Sequence, residues 1–261
     1  MERRKLLQLL AASGVSATVG IGTPTLKKAI ATSEGTSHWG YIGAGSPENW
    51  GDLSATYSAC RAGLQQSPIN LHNSIHATLT TLDIRYQPIP LTILNNGHTI
   101  QVNSIAGNLI QVDGEEFELL QFHFHHPSEH TVEGESFPME MHFVHVNTKG
   151  ELAVLGIFLR EGTEENAVLR SVWEAMPPKE AAATTIPDEQ IDIAQLLPRD
   201  RSTFRYFGSL TTPPCSEIVK WIIFQDPIEV SSAQVAQFRD VFPLNARPTQ
   251  PLNRRFLLTS A

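Results

Sequence analysis

Three histidines carry the first chemical signal in the chain: His123 and His125 within Gln121-Phe122-His123-Phe124-His125, and His142 within Met139-Glu140-Met141-His142. In an extended strand side chains alternate faces, so Gln121, His123 and His125 point one way while Phe122, Phe124 and His126 point the other. A second stretch, Met139 to Val146, is apolar and has β-branched and aromatic residues. There Glu140, His142 and Val144 share a face opposite Met141, Phe143 and His145. Pairing the two strands sets His142 across from the first two rings. Three imidazoles with no thiol nearby can hold one zinc and leave a coordination position open, which is the arrangement of catalytic rather than structural zinc. Glu140, two residues before His142 on the same face, can accept that ring's outer N–H and set its tautomer; Gln121, on the face of His123, joins it in this supporting layer. For His-x-His alone, a cluster of buried, hydrogen-bonded histidines remains an open alternative.

Neighbouring segments narrow the choice. Ser128-Glu129-His130-Thr131 follows the first strand, Asn95-Asn96-Gly97-His98 precedes it, and Tyr206-Phe207-Gly208-Ser209-Leu210-Thr211-Thr212-Pro213-Pro214-Cys215 lies far downstream. With His38-Trp39-Gly40-Tyr41, Gln66-Ser67-Pro68-Ile69-Asn70 and Pro251-Leu252-Asn253-Arg254-Arg255, these segments resemble the α-class carbonic anhydrases in their bacterial form, over nearly all of the chain after the first thirty or so residues. The resemblance implies a mainly β (α+β) single domain: a large twisted, mostly antiparallel sheet with short peripheral helices and a conical cleft. It also implies one Zn²⁺ per chain on His123, His125 and His142, with carbon dioxide and bicarbonate as substrates.

The same resemblance implies roles for further residues. Attack on CO₂ by zinc-bound hydroxide needs water acidified by the metal, and lowering its pKa from about 15.7 to about 7 is the behaviour for which carbonic anhydrase is itself the standard case. Thr211 would accept the hydroxide's proton in a hydrogen bond if its own hydroxyl hydrogen is committed to ionised Glu129, and Thr212 lies close enough in sequence to contact bicarbonate. Val144, Val154, Leu210, Val219 and Trp221 match an apolar lining for CO₂. His98 matches the proton-shuttle position and is expected to titrate near neutrality, while Tyr41, Asn96 and Gln101 match positions that organise intervening water. His126, His130 and His145 match no ligand position. His126-Pro127 departs from the Trp-Gly of animal members, a change with no expected effect on the zinc. A related binding protein without turnover would lack a ligand histidine, and a zinc-sequestering protein would show a His-rich tract; the chain shows neither feature.

The elements that position these residues are legible as short strands. Leu91–Leu94, Ile100–Val102 and Leu109–Val112 alternate between Asn-Gly, Gly-Asn and Asp-Gly pairs, read as hairpin turns. One helix is predicted over Glu165 to Met176, stopped by Pro177-Pro178. No repeat or linker divides the 261 residues, which suit a single core. The N-terminus differs: Arg3-Arg4-Lys5, a weakly apolar stretch from Leu6 to Ile21, Lys27-Lys28 and Ala29-Ile30-Ala31 read as a cleavable export signal over residues 1–31, favouring the twin-arginine route, ahead of a carbonic anhydrase domain over 32–261. The stretch is too interrupted for a membrane anchor, so a periplasmic or secreted protein is expected. Cleavage after Ala31 removes five basic residues and one acidic one, taking the net charge from −8 to −12, which disfavours nucleic acid and anionic membranes as partners. An exported chain with two cysteines suggests a disulfide; the family resemblance implies the pair Cys60–Cys215. Bacterial relatives are often dimers, which leaves a homodimer open.

Overall fold

A computed structural model describes residues 38–260; the export-signal reading of residues 1–31 lies outside them. The described chain is built on one thirteen-stranded sheet flanked by short helices, with a separate three-stranded sheet beside it. The path through the large sheet runs Ala181–Ile191, Ile89–Asn95, Ile100–Asn103, Glu115–His125, Met139–Val146, Leu152–Gly162, Val219–Phe224, Thr203–Gly208, Leu258–Thr259 and Ile75–His76. Pairing is mostly antiparallel; Leu152–Gly162 runs parallel to Val219–Phe224 and to Ile228–Ser231, and Leu258–Thr259 parallel to Ile75–His76. The fold expected from the resemblance is the one observed.

Side-chain alternation sorts the two central strands onto two cores. Phe122, Phe124, Met141 and Phe143 enter the larger apolar cluster, where Phe124 also meets Trp173 and Phe238. Val144 enters the second cluster with Val154, Val219 and Trp221, so the histidines on that face open toward the other side of the sheet. Asp113 and Gly114, at φ 53° and 77°, form the two-residue turn between Leu109–Val112 and Glu115–His125, matching a primed hairpin.

Two local expectations are corrected. The Gly107-Asn108 pair does not close a hairpin: Ile100–Asn103 and Leu109–Val112 both pair with successive parts of Glu115–His125. The long strand supplies enough ladder for both, and Asn108 turns the corner by accepting from the Gln87 N–H at 2.8 Å. The predicted helix over 165–176 is helical only at Arg170–Glu174. Asn166 Oδ1 takes the N–H groups of Val168 and Leu169, a local alternative to the helical ladder. The longest described helix is instead Ser232–Val241, opened by a capping box in which Ser231 and Gln234 exchange side-chain and backbone bonds.

Candidate active site

The register sets His142 directly opposite His123 and Glu140 opposite His125. Each ring's outer nitrogen is committed. His123 Nδ1 lies 2.9 Å from Gln121 Oε1, His125 Nδ1 2.7 Å from the Asn245 carbonyl and His142 Nε2 2.8 Å from Glu140 Oε1. All three partners are acceptors, so these nitrogens carry the hydrogens and the lone pairs sit on His123 Nε2, His125 Nε2 and His142 Nδ1. Ligand atoms from the three residues lie within 4.8 Å of one another. Burial drives the His123 and His125 pKa values down, keeping the rings neutral. His125 Nε2 is buried without a hydrogen-bond partner and faces Glu129 Oε2, also unpartnered, at 3.6 Å. Two acceptors facing each other away from water are unfavourable without a cation between or beside them. Orphaned lone pairs, neutral rings and an adjacent carboxylate therefore fit a divalent metal, and the all-imidazole set suits zinc.

Glu140 supports this face from below. Its Oε2 accepts from the backbone N–H groups of Glu129 and His130 at 2.9 and 2.8 Å, and its Oε1 from His130 Nδ1 and His142 Nε2, both at 2.8 Å. Although burial opposes ionisation, the neighbouring His130 and His142 and their hydrogen bonds hold its carboxyl well below the usual range. Opposite His142 stands Gly156. A Cβ there would lie 3.2 Å from Glu140 Oε1 and collide with Ile223, so glycine leaves room for the carboxylate. His130, Glu140 and His142 also lie close enough to hold a metal, but their facing atoms are joined by hydrogen bonds, and His130 Nε2 is taken by Tyr206 at 2.7 Å.

The cleft above the three imidazoles is lined by the apolar Val144, Val154, Leu210 and Trp221, and by Trp39, Tyr41, Asn96, His98, Thr99, Gln101, Gln121, Thr211 and Thr212. Val219 stays behind this surface, fully buried in the second cluster. Glu129 is 1% exposed, its Oε1 held by the Arg247 N–H at 3.0 Å. That bond turns Oε2 toward His125 and His142, and the expected hydrogen bond from Thr211 to Glu129 is not formed at this oxygen. Thr211 and Thr212 sit on a loop clasped by Leu210 N–H to Ser216 O and Cys215 N–H to Thr212 O. The Cys60–Cys215 disulfide anchors the loop to the N-terminal segment, and Arg247 spans the join by donating to the carbonyls of Cys60 and Ser67 and to Gln66 Oε1.

His98 differs from the expectation of a histidine titrating near neutrality. Its ring stacks on Trp39, centroids 3.6 Å apart, and is only 8% exposed. Burial first, then nearby His38, pushes its pKa down to about 4. His145 faces the opposite side, bonded to Tyr86 and the Ala153 carbonyl. Sequence reading missed Asn245, Arg247 and His130 as supports of the site. The first two lie more than a hundred residues from the site residues His125 and Glu129 that they hold, and no local pattern marks them.

A family described as eukaryotic-type carbonic anhydrase matches residues 45–261. The chain is 44% identical over 263 residues to a carbonic anhydrase of Nostoc sp., covering 98% of this chain and 97% of that protein. It is 46% identical over 225 residues to one of Klebsiella pneumoniae, covering 85% and 91%. Among solved structures, the α-carbonic anhydrase of Thermovibrio ammonificans in complex with sulfanilamide superposes with a TM-score of 0.82 at 46% identity, over 85% of this chain and 98% of that one.

Proposed function

The chain belongs to the eukaryotic-type, or α-class, carbonic anhydrase family, an enzyme family that interconverts carbon dioxide and bicarbonate, and we propose that its cleft is a one-zinc catalytic site. The observation carrying this reading is the convergence of three imidazole lone pairs whose outer N–H groups are all taken by fixed acceptors. His123, His125 and His142 would hold the ion, which when bound acidifies water so that a nucleophile is available near neutral pH. The remaining steps fall to the chain's own residues.

Val144, Val154, Leu210 and Trp221 offer CO₂ a dry wall, where an apolar substrate gains by leaving water. The Thr211 hydroxyl is the group to orient the attacking oxygen, and Glu129 Oε2, without a partner of its own, is the acceptor that commits the Thr211 hydrogen when the two close. Thr212 is assigned to the bicarbonate product. His98 is assigned the proton, with Tyr41, Asn96 and Gln101 along the wet wall. Passing a proton released at pKa ~7 to a ring at about 4 climbs ~4 kcal/mol, against ~12 kcal/mol for handing it to bulk water. His98 thus relieves the step even in its stacked position.

Export of the chain, with residues 1–31 as its signal, is supported by the disulfide and by the basic-then-apolar N-terminus. Among the described residues no helix is long and apolar enough to cross a membrane. Stopped-flow CO₂ hydration with zinc analysis tests the central claim. Turnover with about one zinc per chain, lost in His142→Ala, is expected; turnover that survives loss of zinc refutes it.

A further inference from the structure

Asn245 is fully buried, and it makes five hydrogen bonds to the end of the strand Glu115–His125 with the adjoining His126 and to the turn that carries His98. Its carbonyl accepts from His125 Nδ1 at 2.7 Å and its N–H donates to the His126 carbonyl at 3.0 Å. Its side-chain Oδ1 accepts from the His126 N–H at 2.7 Å. Its Nδ2 reaches in the other direction, donating to the carbonyls of Phe124 at 2.9 Å and His98 at 3.0 Å. Of the two backbone bonds, one holds the His125 ring and the other the His126 carbonyl. The carboxamide does something separate, because it joins the turn carrying His98 to the strand carrying His123 and His125.

That turn needs an outside brace. It contains Gly97 at φ 84°, and its internal bonds, from the N–H groups of Gly97, His98 and Thr99 to the Asn95 and Asn96 side chains and from the Asn96 N–H to the Thr99 carbonyl, leave the His98 carbonyl untouched. Thr99 Oγ1 ties the turn's far end to the Phe124 carbonyl at 2.6 Å, while among the described residues only Asn245 Nδ2 donates to the carbonyl of His98. A buried carbonyl deprived of its donor moves toward water, and here that movement would carry the His98 ring off Trp39.

We propose that the Asn245 carboxamide is a positioning residue for proton transfer: through Nδ2 it fixes the His98 main chain relative to the metal-holding strand, and so sets where the His98 ring stands in the cleft. This rests on the reading of His98 as proton acceptor. The dependence runs one way, since the placement of the ring can be measured whether or not the ring carries protons.

Asn245→Asp keeps an oxygen toward the His126 N–H but turns an oxygen, in place of two hydrogens, toward the carbonyls of His98 and Phe124. Asn245→Ser removes both donors without a charge and serves if the aspartate variant does not fold. Although a ring freed from Trp39 binds a proton more readily, it leaves its place in the cleft, and the lost placement outweighs the gain: either variant should lower kcat about tenfold while kcat/KM changes less than about twofold, with zinc content unchanged and kcat restored by imidazole buffer. In the metal-free protein the His98 ring protons should lose the upfield NMR shift that stacking on Trp39 imposes. An unchanged His98 shift overturns the proposal, as does a parallel fall of kcat and kcat/KM that imidazole does not relieve, which would mean that Asn245 acts through His125 alone. His98→Ala separates the two claims: without an imidazole-reversible loss of kcat in that variant the shuttle reading fails, and the NMR shift in Asn245→Ser still decides the positioning.

Discussion

Replacing Glu140 by Gln is the most demanding test of how this site is held. The native carboxylate receives four hydrogen bonds at 2.8–2.9 Å, two from main-chain N–H groups and two from the rings of His130 and His142. A glutamine has one acceptor oxygen, so the main-chain pair can be kept only by aiming the amide's NH₂ at the two ring nitrogens. The His142 bond is then lost, and a bond to an ionised acceptor contributes ~1.5–3 kcal/mol. At 1.4 kcal/mol per tenfold, zinc affinity should fall by ~10–150-fold, in line with what loss of a metal-orienting partner generally costs. Competition with a chromogenic chelator measures this directly, and thermal unfolding of the metal-free protein reports the accompanying loss of stability. The effect should be insensitive to pH near neutrality. The folded-state pKa of Glu140 is depressed, so its contribution is present above the ordinary carboxylate range and disappears only as pH falls through the lower folded value. Zinc affinity within about twofold of the parent would refute the claim that this carboxylate sets the His142 tautomer.

Other expectations follow from the same geometry. Because His98 sits at about 4 rather than near neutrality, imidazole buffer should raise kcat of the unaltered enzyme without changing kcat/KM; no response in stopped-flow assays counts against proton transfer as the slow step. Removing the Cys60–Cys215 bridge, which closes a separation of 155 residues, should destabilise the fold by ~5 kcal/mol in the chain-entropy limit, less any strain released, as read from denaturant midpoints. Val144→Phe should crowd the apolar wall beside the imidazoles at ~1–3 kcal/mol, lowering kcat/KM by ~5–150-fold while zinc content holds. His98 and His145, held by burial to about 4 and about 3, bind protons more readily in the unfolded chain. Stability should therefore fall as pH drops from about 6.5 toward those values, and His145→Phe should flatten that slope in acid-unfolding curves.

Strand alternation was enough to place His123, His125, Gln121, Glu140 and His142 on shared faces, because a period of two is a property of the backbone itself. Turn chemistry was partly legible for the same reason: Asp113-Gly114 makes its hairpin locally. Gly107-Asn108 does not, since whether two strands pair with each other or with a third is decided by the length of that third strand. Ser231-x-x-Gln234 is a local start signal for the longest described helix, whereas the helix expected over 165–176 is shorter than its apolar spacing predicts because Asn166 offers its first N–H groups a competing acceptor.

The ligand types, their faces and the absence of any nearby thiol were thus fixed by local sequence, and the ordered motifs pointed to the family. What only the tertiary structure decided is the environment of those groups. The Asn245 carbonyl at His125, the Arg247 N–H at Glu129 and the Trp39 face against His98 all come from segments remote in sequence. Each alters chemistry through distance and burial: a donor at 3.0 Å holds one Glu129 oxygen and leaves the other facing His125, and a stacked indole takes His98 out of water and pushes its pKa down to about 4. Hydrogen bonds and desolvation act only over the few ångströms that folding brings about, and a linear pattern carries no record of them.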